Sequence, residues 1–355
     1  MAELREILAA FADLRCHGEA GVLASVVHVE GSTYRRPGAR MLVLPDDRMV
    51  SLLSGGCLEG DLLEHARAVR ASGQPRLVHY DSRAEDDIVW GLGLGCAGVV
   101  EVWLERVDDA RPGPLVWLQA WRRERAAGAI ATQLEAPGER RALHADGRLE
   151  GSLQDADDAL LEAYARRHSS RQGPLAVEFV PAPLHLALFG GGPDAVPVAR
   201  LAAELGFAVT VLEGRPAYAR PERFPLARVA LVEPEASVAA AALGPESFAV
   251  VMTHHYLHDR TILRGLLESP DPVRYIGLLG PQRRSEELLR DLAADGLAPD
   301  DANRARIHAP AGLDIGGDGP QGIALAILAE IQALAAGRSG GWLRERKGPI
   351  HDPEP

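Results

Sequence analysis

The sequence has few cysteines and no long apolar run, and each scarcity excludes a class of protein. The three cysteines, Cys16, Cys57 and Cys96, form no Cys-x-x-Cys pair, so neither a disulfide framework nor a paired-cysteine zinc site is expected. No apolar run approaches the ~20 residues that a membrane-spanning helix needs. The N-terminus lacks the pattern of a signal peptide. We therefore expect a cytoplasmic protein with free thiols and no membrane span.

Positive charge is also scarce, because 38 Lys and Arg residues face 50 Asp and Glu residues, giving a net charge of −12. This balance argues against non-specific nucleic-acid binding, which depends on neutralising phosphates. The chain also lacks a P-loop, a G-x-S-x-G elbow and an H-E-x-x-H motif. Its 355 residues, 46% of them hydrophobic and 25% charged, are typical of a soluble globular protein with two domains.

An internal repeat occupies the N-terminal half of the chain. Residues 36–48 and 136–148 share Pro, Gly, Arg, Asp and Arg at a constant offset of 136 − 36 = 100. Three further pairs support the repeat: Gly21–Ser25 with Gly128–Thr132, Leu62–Glu64 with Leu160–Glu162, and Pro75–Tyr80 with Pro174–Phe179. We interpret this as two degenerate copies of a helix–strand–strand–helix–strand unit. The alternative is coincidence within a composition rich in Ala, Arg and Leu.

The two copies differ at the segments where a site is expected. The offset falls from 107 to 100, so the second copy lacks about seven residues, roughly Gly31–Arg36. It also has Ser-Leu-Gln-Asp at Ser152–Asp155, where the first copy has Ser-Gly-Gly-Cys at Ser54–Cys57. We interpret features shared by both copies, such as Arg40 as a packing or ion-pair residue, as structural. Features of the first copy alone are the candidate site.

These first-copy segments carry anion donors and a thiol. Ser32, Thr33, Arg35 and Arg36 lie in one Gly- and Pro-bounded segment that could clamp an oxyanion, although a solvated turn is the alternative. Gly55 and Gly56 precede a predicted helix whose first turn contains Cys57, and a helix N-terminus favours a thiolate. The alternative for Cys57 is a small buried residue. Gly91–Gly98, with Cys96, indicates either close backbone approach or a tightly packed strand crossing.

From Leu184 onward, apolar strands alternate with helices, which predicts a parallel sheet covered on both faces. Gly190, Gly192 and Ala195 fit the G-x-G-x-x-A pattern between a strand and a helix. Glu213 follows Gly192 by 213 − 192 = 21 residues, near the position of an acid that holds a ribose. The pattern indicates a Rossmann domain that could bind NAD(P). A scaffold kept for packing or for another ligand is the alternative.

Two further residues are predicted to line a cleft at the edge of this sheet. His254 directly follows an inner strand and Asp314 follows the last strand, and loops at strand C-termini line the site in such folds. His254 and His258 would lie together on a helix, where a metal site is conceivable, but a polar cleft lining is the simpler interpretation.

The sequence therefore predicts an α/β protein. Residues 1–180 form an N-terminal α+β domain built from a degenerate duplicated unit. Residues 184–340 form a C-terminal Rossmann-like, doubly wound parallel sheet, and residues 341–355 form a flexible tail.

These motifs together resemble the XdhC/CoxI accessory proteins, molybdenum-cofactor chaperones that mature xanthine dehydrogenase and related hydroxylases. The resemblance covers nearly the whole chain. It runs through residues 31–40, 54–59, 91–96, 189–192, 251–254, 275–280 and 309–316. The sequence departs from the family pattern at Pro193–Asp194, where a His-containing pair is expected, and at Glu213, where Asp is usual.

The resemblance implies a protein that binds and protects the molybdenum cofactor, assists its sulfuration and delivers it to an apo molybdenum hydroxylase. A cysteine desulfurase is a further expected partner, and a homodimer is expected. The implied cofactor contacts in the first copy are Ser32, Thr33, Arg35, Arg36, Gly55, Gly56 and Cys57, with Cys57 also as metal ligand. Cys96, Gly190, Gly192, Glu213, His254 and Asp314 complete the predicted binding residues.

Two alternative functions remain open at this point. An NAD(P)-dependent oxidoreductase would use Gly190, Gly192 and Glu213, although the sequence offers no clear base for hydride transfer. A sulfur-relay or redox enzyme would act through Cys57. The Rossmann domain could also hold the nucleotide of a dinucleotide form of the cofactor.

Overall fold

The computed structural model describes residues 2–31, 33–81, 98–135 and 139–347. The described chain divides into two compact units, residues 3–183 and 184–347. Among its helices, none has the length and apolar character needed to cross a bilayer. Each unit is described by itself.

The first half of the N-terminal unit, here called copy one, comprises residues 2–107. Its elements are α1 (Ala2–His17), β1 (Gly21–Gly31), β2 (Arg40–Val43), β3 (Met49–Val50), α2 (Glu59–Ser72), β4 (Arg76–Asp81) and β5 (Gly98–Val107). The strands form an antiparallel sheet in the order β3-β2-β1-β5-β4. Cys16 lies exposed in the last turn of α1, within the helix and not in the connection that follows it.

Copy two comprises residues 115–180 and repeats this arrangement element by element. It contains α3 (Leu115–Glu124), β6 (Gly128–Gln133), β7 (Arg140–His144), β8 (Leu149–Gly151), α4 (Asp157–Arg166), β9 (Ser170–Gln172) and β10 (Leu175–Val180). Its sheet order, β8-β7-β6-β10-β9, matches that of copy one position for position. The duplication is confirmed, and the repeated unit is a helix, three strands, a helix and two strands.

One part of the predicted alignment is wrong. Residues 76–81 form β4, an edge strand whose counterpart is β9, whereas residues 175–180 form β10, the counterpart of β5 beside the central strand. Both segments follow a proline and contain residues that favour strands, such as valine with tyrosine or phenylalanine. That pattern alone does not distinguish an edge strand from an inner one. The short strands β3 and β8 were missed because two or three residues carry no periodicity.

The turn at the constant offset of 100 is the same in both copies. Leu44 N donates to Arg48 O at 2.9 Å, and His144 N donates to Arg148 O at 2.9 Å. A carboxylate accepts from the last amide of each turn, Asp46 in copy one at 3.2 Å and Asp146 in copy two at 3.0 Å. The matched turns set the same strand register in both sheets.

Alternating strand residues build the main cores of this unit. Val22 and Ala24 of β1 pack with α2 on one face of the first sheet. Leu23 of β1 faces the other way, into a shared core with Ile130 of copy two and the helices α1 and α3. The helix α4 covers the outer face of the second sheet. The two copies therefore pack with their sheets facing each other through the shared core.

Two buried ion pairs join the copies reciprocally. Arg40 on β2 pairs with Glu178 on β10, and Arg140 on β7 pairs with Glu105 on β5 at 2.5 Å. The two arginines and the two glutamates occupy equivalent positions in their copies. The predicted ion-pair role of Arg40 is confirmed. We call these the cross pairs.

The C-terminal unit alternates parallel strands and helices. Its elements are β11 (His185–Phe189), α5 (Ala195–Glu204), β12 (Ala208–Glu213), β13 (Arg228–Leu231), α6 (Pro234–Ala241), β14 (Ser247–Val251), α7 (Tyr256–Glu268), β15 (Tyr275–Leu278), α8 (Gln282–Ala294), α9 (Asp301–Ala305), β16 (Ile307–His308) and α10 (Pro320–Ala335). The order β13-β12-β11-β14-β15-β16, all parallel, is that of the Rossmann fold. Apolar cores cover both faces. The Rossmann-like prediction is confirmed.

Beyond α10, a short 3₁₀ helix occupies Leu343–Glu345, within the segment expected to form a flexible tail. The last residues of that segment, 348–355, lie outside the described chain.

Candidate functional site

One edge of the first sheet collects the candidate segments of copy one. The strands β1 and β3 run in the same direction, because each is antiparallel to β2, so the loops that follow them lie at the same edge. Gly31 pairs with Gly98, and Asp81 pairs with Val99, so β4 also ends there and β5 begins there. We call the loops 33–39 and 51–58 the site edge. The sheet topology thus brings together two segments that are separated in the sequence.

Two predicted residues cannot be placed at this edge. Ser32 and Cys96, together with most of the glycine-rich segment 91–98, lie outside the described residues. Their roles stay predictions.

A buried serine and glutamate organise the loop that carries Cys57. The Glu59 carboxylate, 4% exposed, accepts from Leu53 N at 3.1 Å and from Ser54 N at 2.7 Å, and it also accepts from the Ser54 hydroxyl. In turn, Ser54 Oγ accepts from the backbone amides of Gly56, Cys57 and Leu58 at 3.2, 2.9 and 3.0 Å. One hydroxyl oxygen therefore lies within hydrogen-bond distance of three consecutive amides.

This network corrects the predicted setting of Cys57. The helix α2 begins at Glu59, so Cys57 precedes the helix and does not lie in its first turn. The amides of Gly56, Cys57 and Leu58, which precede the first helical residue, donate to Ser54 Oγ. These three amides are therefore already engaged within the protein.

The hydrogen bonds also set the ionisation of Glu59. Burial acts to raise the pKa of the Glu59 carboxyl, but the bonds from the Ser54 hydroxyl and from the Ser54 and Leu53 amides outweigh it. The pKa of Glu59 is therefore lowered below its ordinary value. At neutral pH the loop is held by a buried carboxylate.

The glycines of this loop face open space. A side-chain carbon at Gly55 or Gly56 would meet no atom within 4 Å, and both residues are exposed. Gly56 has a φ of +107°, a conformation that L side chains rarely adopt. Cys57, a free thiol, is half-buried beside them. The loop thus leaves room for a bulky ligand next to a sulfur atom.

The two predicted arginines have different surroundings. Arg35 Nη2 donates to Glu3 of α1 at 2.6 Å, and its guanidinium lies 5.2 Å from the centre of the Tyr34 ring. Arg36 makes no side-chain hydrogen bond or ion pair with the described residues. Thr33 donates its hydroxyl to Arg35 O at 2.8 Å, which stabilises the turn. Arg36 is therefore the cation of the site edge that can bind a ligand's phosphate without first breaking an ion pair with a described residue.

Sequence reasoning missed Ser54 and Glu59 as functional candidates. Both belong to the segment 54–59 that carries the family resemblance, but their spacing of five residues does not match a capping box. The one signal in the sequence was an acidic residue at the start of a helix, which is also common for structural reasons.

The glycine loop of the C-terminal unit has the predicted backbone geometry. Gly190 has a φ of +118°, and a side-chain carbon there would lie 2.6 Å from Met252 O, so only glycine fits. Gly192 lies at the start of the segment that enters α5, and a side-chain carbon there would face His254 at 3.7 Å. The tight turn between β11 and α5 follows from these residues.

Glu213 is engaged within the protein. Its carboxylate, 6% exposed, accepts from Gly191 N at 2.7 Å and from Arg215 through N, Nε and Nη2 at 2.8, 2.9 and 2.8 Å. Burial opposes ionisation, but these bonds hold the pKa of Glu213 at about 2. A ribose that used Glu213 would have to share a carboxylate that already accepts four hydrogen bonds.

The remaining predicted residues lie near the same edge without forming a cluster. His254 has a φ of +60° and its Nε2 is 3.3 Å from Asp194 Oδ2. It precedes α7, so His254 and His258 do not share a helix as predicted, and His255 stacks on His258 at 4.0 Å. Asp314 is exposed. In the part of the chain that the structure covers, no group of three His, Cys, Asp or Glu residues could hold a metal.

Comparison with known families and proteins places these features in one group. A family model described as "XdhC and CoxI family" matches residues 14–81, which include the site edge. A second, described as "XdhC Rossmann domain", matches residues 186–331. The two models cover the loop of Cys57 and the loop of Gly190.

Two individual relatives match most of the chain, and a third matches about a third of it. A Bacillus subtilis (strain 168) protein, named as a probable subunit of xanthine dehydrogenase, is 35% identical over 318 residues, 88% of this chain and 92% of its own. A crystal structure from Bacillus halodurans, described as a xanthine dehydrogenase, superposes with a TM-score of 0.78 at 31% identity, covering 96% of this chain and 97% of that one. The molybdenum cofactor insertion chaperone PaoD of Escherichia coli (strain K12) is 30% identical over 108 residues, 30% of this chain and 33% of PaoD. This chain belongs to the XdhC and CoxI family.

Proposed function

We propose that this protein binds the molybdenum cofactor at the site edge of copy one, protects it, assists its sulfuration and delivers it to an apo molybdenum hydroxylase such as xanthine dehydrogenase. The observation that carries the proposal is the loop of Gly55, Gly56 and Cys57, which is open, half-exposes a thiol and is held by a buried network. The names of the relatives, which refer to cofactor insertion and to xanthine dehydrogenase, support it.

The side chains at the site edge suit the chemistry of this cargo. The molybdenum cofactor carries a phosphate, a planar ring system and a metal bound by sulfur. Arg36, whose guanidinium lacks a partner among the described residues, would take the phosphate, because guanidinium and phosphate form strong charge-assisted hydrogen bonds. Cys57 offers a soft sulfur ligand toward the metal. The space over Gly55 and Gly56 would admit the ring system.

The proposal assigns different roles to two residues predicted as equal contacts. Arg35 is bound to Glu3 and would support the loop, whereas Arg36 would touch the cargo. In handover, the apo-hydroxylase would receive the cofactor from this exposed edge. A cysteine desulfurase would supply the sulfur for sulfuration, and we propose that the carrier is a homodimer.

The test is the cofactor content of the protein purified from a host that produces molybdopterin. After oxidation, bound pterin is measured by fluorescence in wild type, Cys57→Ala and the matched control Cys16→Ala, which alters the exposed thiol of α1. We expect pterin in wild type and in Cys16→Ala, and a loss in Cys57→Ala. No pterin in any of the three proteins would overturn the proposal.

Nucleotide binding by the C-terminal unit is a second proposal, favoured by its strand order and by Gly190. The ligand would be NAD(P) or the nucleotide part of a dinucleotide cofactor. Glu213 already accepts four hydrogen bonds, so a ligand phosphate would instead meet Arg215, which is half exposed and is paired with Glu213 through Nε and Nη2. Calorimetry with NADPH and NADH tests it, and no heat at millimolar nucleotide would remove the NAD(P)-dependent oxidoreductase as a function.

A further inference from the structure

The two copies contain the same residue types around the start of their second helix but use them differently. The helices α2 and α4 begin at Glu59 and Asp157, and a serine lies five residues before each acid, at Ser54 and Ser152. In copy one the acid and the serine bond to each other and to the loop. Copy two therefore serves as an internal control for the role of the Ser54–Glu59 pair in copy one.

In copy two the acid, Asp157, forms an ion pair with a residue of the strand β7 and makes no bond to the serine. Arg141 of β7 donates to Asp157 at 3.2 Å, and the Asp157 side chain is 43% exposed. Within the described residues, the Ser152 hydroxyl accepts no amide of its loop, and Gln154 donates instead to Ser152 O at 3.0 Å. The side-chain network of copy one is absent from this part of copy two.

The second helix forms in both copies in spite of this difference. The first helical bonds are equivalent, from Leu62 N to Leu58 O at 2.9 Å and from Leu160 N to Ala156 O at 3.0 Å. Leu62 and Leu160 are both fully buried against their sheets. In copy two, therefore, a helix at this position forms and packs without the serine–carboxylate network.

We propose that Ser54 and Glu59 are positioning residues that hold the Gly55–Gly56–Cys57 loop in the conformation that presents the thiol. What the thiol meets rests on the proposed function, but the positioning does not. The network occurs in the copy that carries Cys57, and it acts through the Cys57 amide itself.

The physical basis is a relay of polarised hydrogen bonds. The Ser54 hydroxyl donates its hydrogen bond to a buried carboxylate, so its two lone pairs are shared among the three amides of the loop. A charged acceptor strengthens the hydroxyl, and bonds in such a chain reinforce one another. The positive φ of Gly56 is held by the amides on either side of its Cα, its own and that of Cys57, which both donate to Ser54 Oγ. Without Ser54 or Glu59 these amides would be released to water.

The test uses full-length protein without any requirement for bound cofactor. Hydrogen exchange of peptides spanning residues 54–58 is measured together with the rate of Cys57 alkylation by iodoacetamide, located by peptide mass spectrometry. The variants are Ser54→Ala, Ser54→Thr and Glu59→Gln, and the copy-two controls are Ser152→Ala and Asp157→Asn.

We expect Ser54→Ala and Glu59→Gln to lower amide protection in the loop about tenfold, because both changes remove a member of the hydrogen-bond network that holds the loop. Cys57 alkylation should accelerate by a similar factor. Ser54→Thr, which keeps the hydroxyl, should remain close to wild type, as should both controls in copy two.

Unchanged exchange and alkylation in Ser54→Ala would overturn the proposal, as would equal changes in Ser152→Ala. If Glu59→Gln fails to fold, the contrast between Ser54→Ala and Ser54→Thr still decides, because both keep the carboxylate. Loss of pterin from the wild type would contradict the proposed function while leaving this result intact.

Discussion

Copy one and copy two of the N-terminal unit have the same strand order and the same turn geometry, yet they differ in the loops at one edge. The seven extra residues of copy one lie between Gly21 and Arg40, since 40 − 21 = 19 whereas 140 − 128 = 12 in copy two. They lengthen β1 and the loop that carries Arg36. The comparison separates residues that build the fold, which both copies have, from residues of the proposed site, which copy one alone has.

The cross pairs belong to the first class. Each copy contributes an arginine and a glutamate to the other, so the pairs bind the two sheets together in a symmetric way. The Arg140 and Glu105 side chains are 7% and 11% exposed, and Glu178 is 22% exposed. The pair of Arg140 is thus the more deeply buried.

The largest expected effect is therefore on stability, from breaking a cross pair. Arg140→Leu should lower the free energy of unfolding of the N-terminal unit by about 3–5 kcal/mol, because it leaves Glu105 buried without its partner. Urea unfolding followed by tryptophan fluorescence measures this, since Trp103, Trp117 and Trp121 are buried in this unit. The double variant Arg140→Leu with Glu105→Leu should recover part of the loss. A single variant that costs less than about 1 kcal/mol, as surface pairs do, would show that the pairs do not hold the copies together.

A smaller effect is expected from the acid of the loop network, and it depends on pH. The pKa of Glu59 is lowered in the folded protein, so its contribution is complete above the ordinary value of 4.5 and is lost as the pH falls through the folded value. Glu59→Gln should cost about 1–3 kcal/mol at pH 7 and progressively less below pH 4.5.

Asp157→Asn in copy two is the matched control, and because its ion pair is partly exposed it should cost less than about 1 kcal/mol. The measurement is urea unfolding at a series of pH values. A Glu59→Gln penalty that is constant from pH 7 to pH 3 would contradict the assigned role of the carboxylate.

The smallest expected effect separates the two arginines of the site edge. Arg36→Gln should weaken cofactor retention about tenfold, because the Arg36 guanidinium is the one proposed to meet the phosphate. Arg35→Gln should change retention less and instead release α1 from the loop, since Arg35 is paired with Glu3. Pterin content and melting temperature of both variants check this assignment. A larger loss of pterin in Arg35→Gln than in Arg36→Gln would contradict this assignment, because it would make Arg35 the residue that meets the phosphate.

Much of this architecture could be predicted from the sequence because the patterns that indicate it extend over many residues. Repeated residues at a constant offset revealed the duplication, and alternating apolar strands and helices revealed the Rossmann unit. The misaligned β4 and β10 show the limit, since whether a strand lies at the edge or the centre depends on tertiary pairing.

The site was harder to predict because it depends on contacts that spacing does not encode. Cys57 was expected in the first turn of a helix, but Ser54 captures the amides before the helix begins. Arg35 and Arg36 are adjacent in sequence, and only the fold shows that Arg35 forms an ion pair with Glu3. Glu213 was expected to bind a ribose, but Arg215 two residues later already binds it. That expectation stays a prediction.

The most direct test of the proposed cofactor site is to give copy one the loop of copy two. The triple substitution Gly55→Leu, Gly56→Gln and Cys57→Asp converts residues 54–57 to the Ser-Leu-Gln-Asp of residues 152–155. Pterin content is then measured in protein purified from a molybdopterin-producing host, with circular dichroism to verify the fold. We expect a folded protein without pterin. A folded variant that retains as much pterin as wild type would contradict the claim that this loop of copy one is the cofactor site.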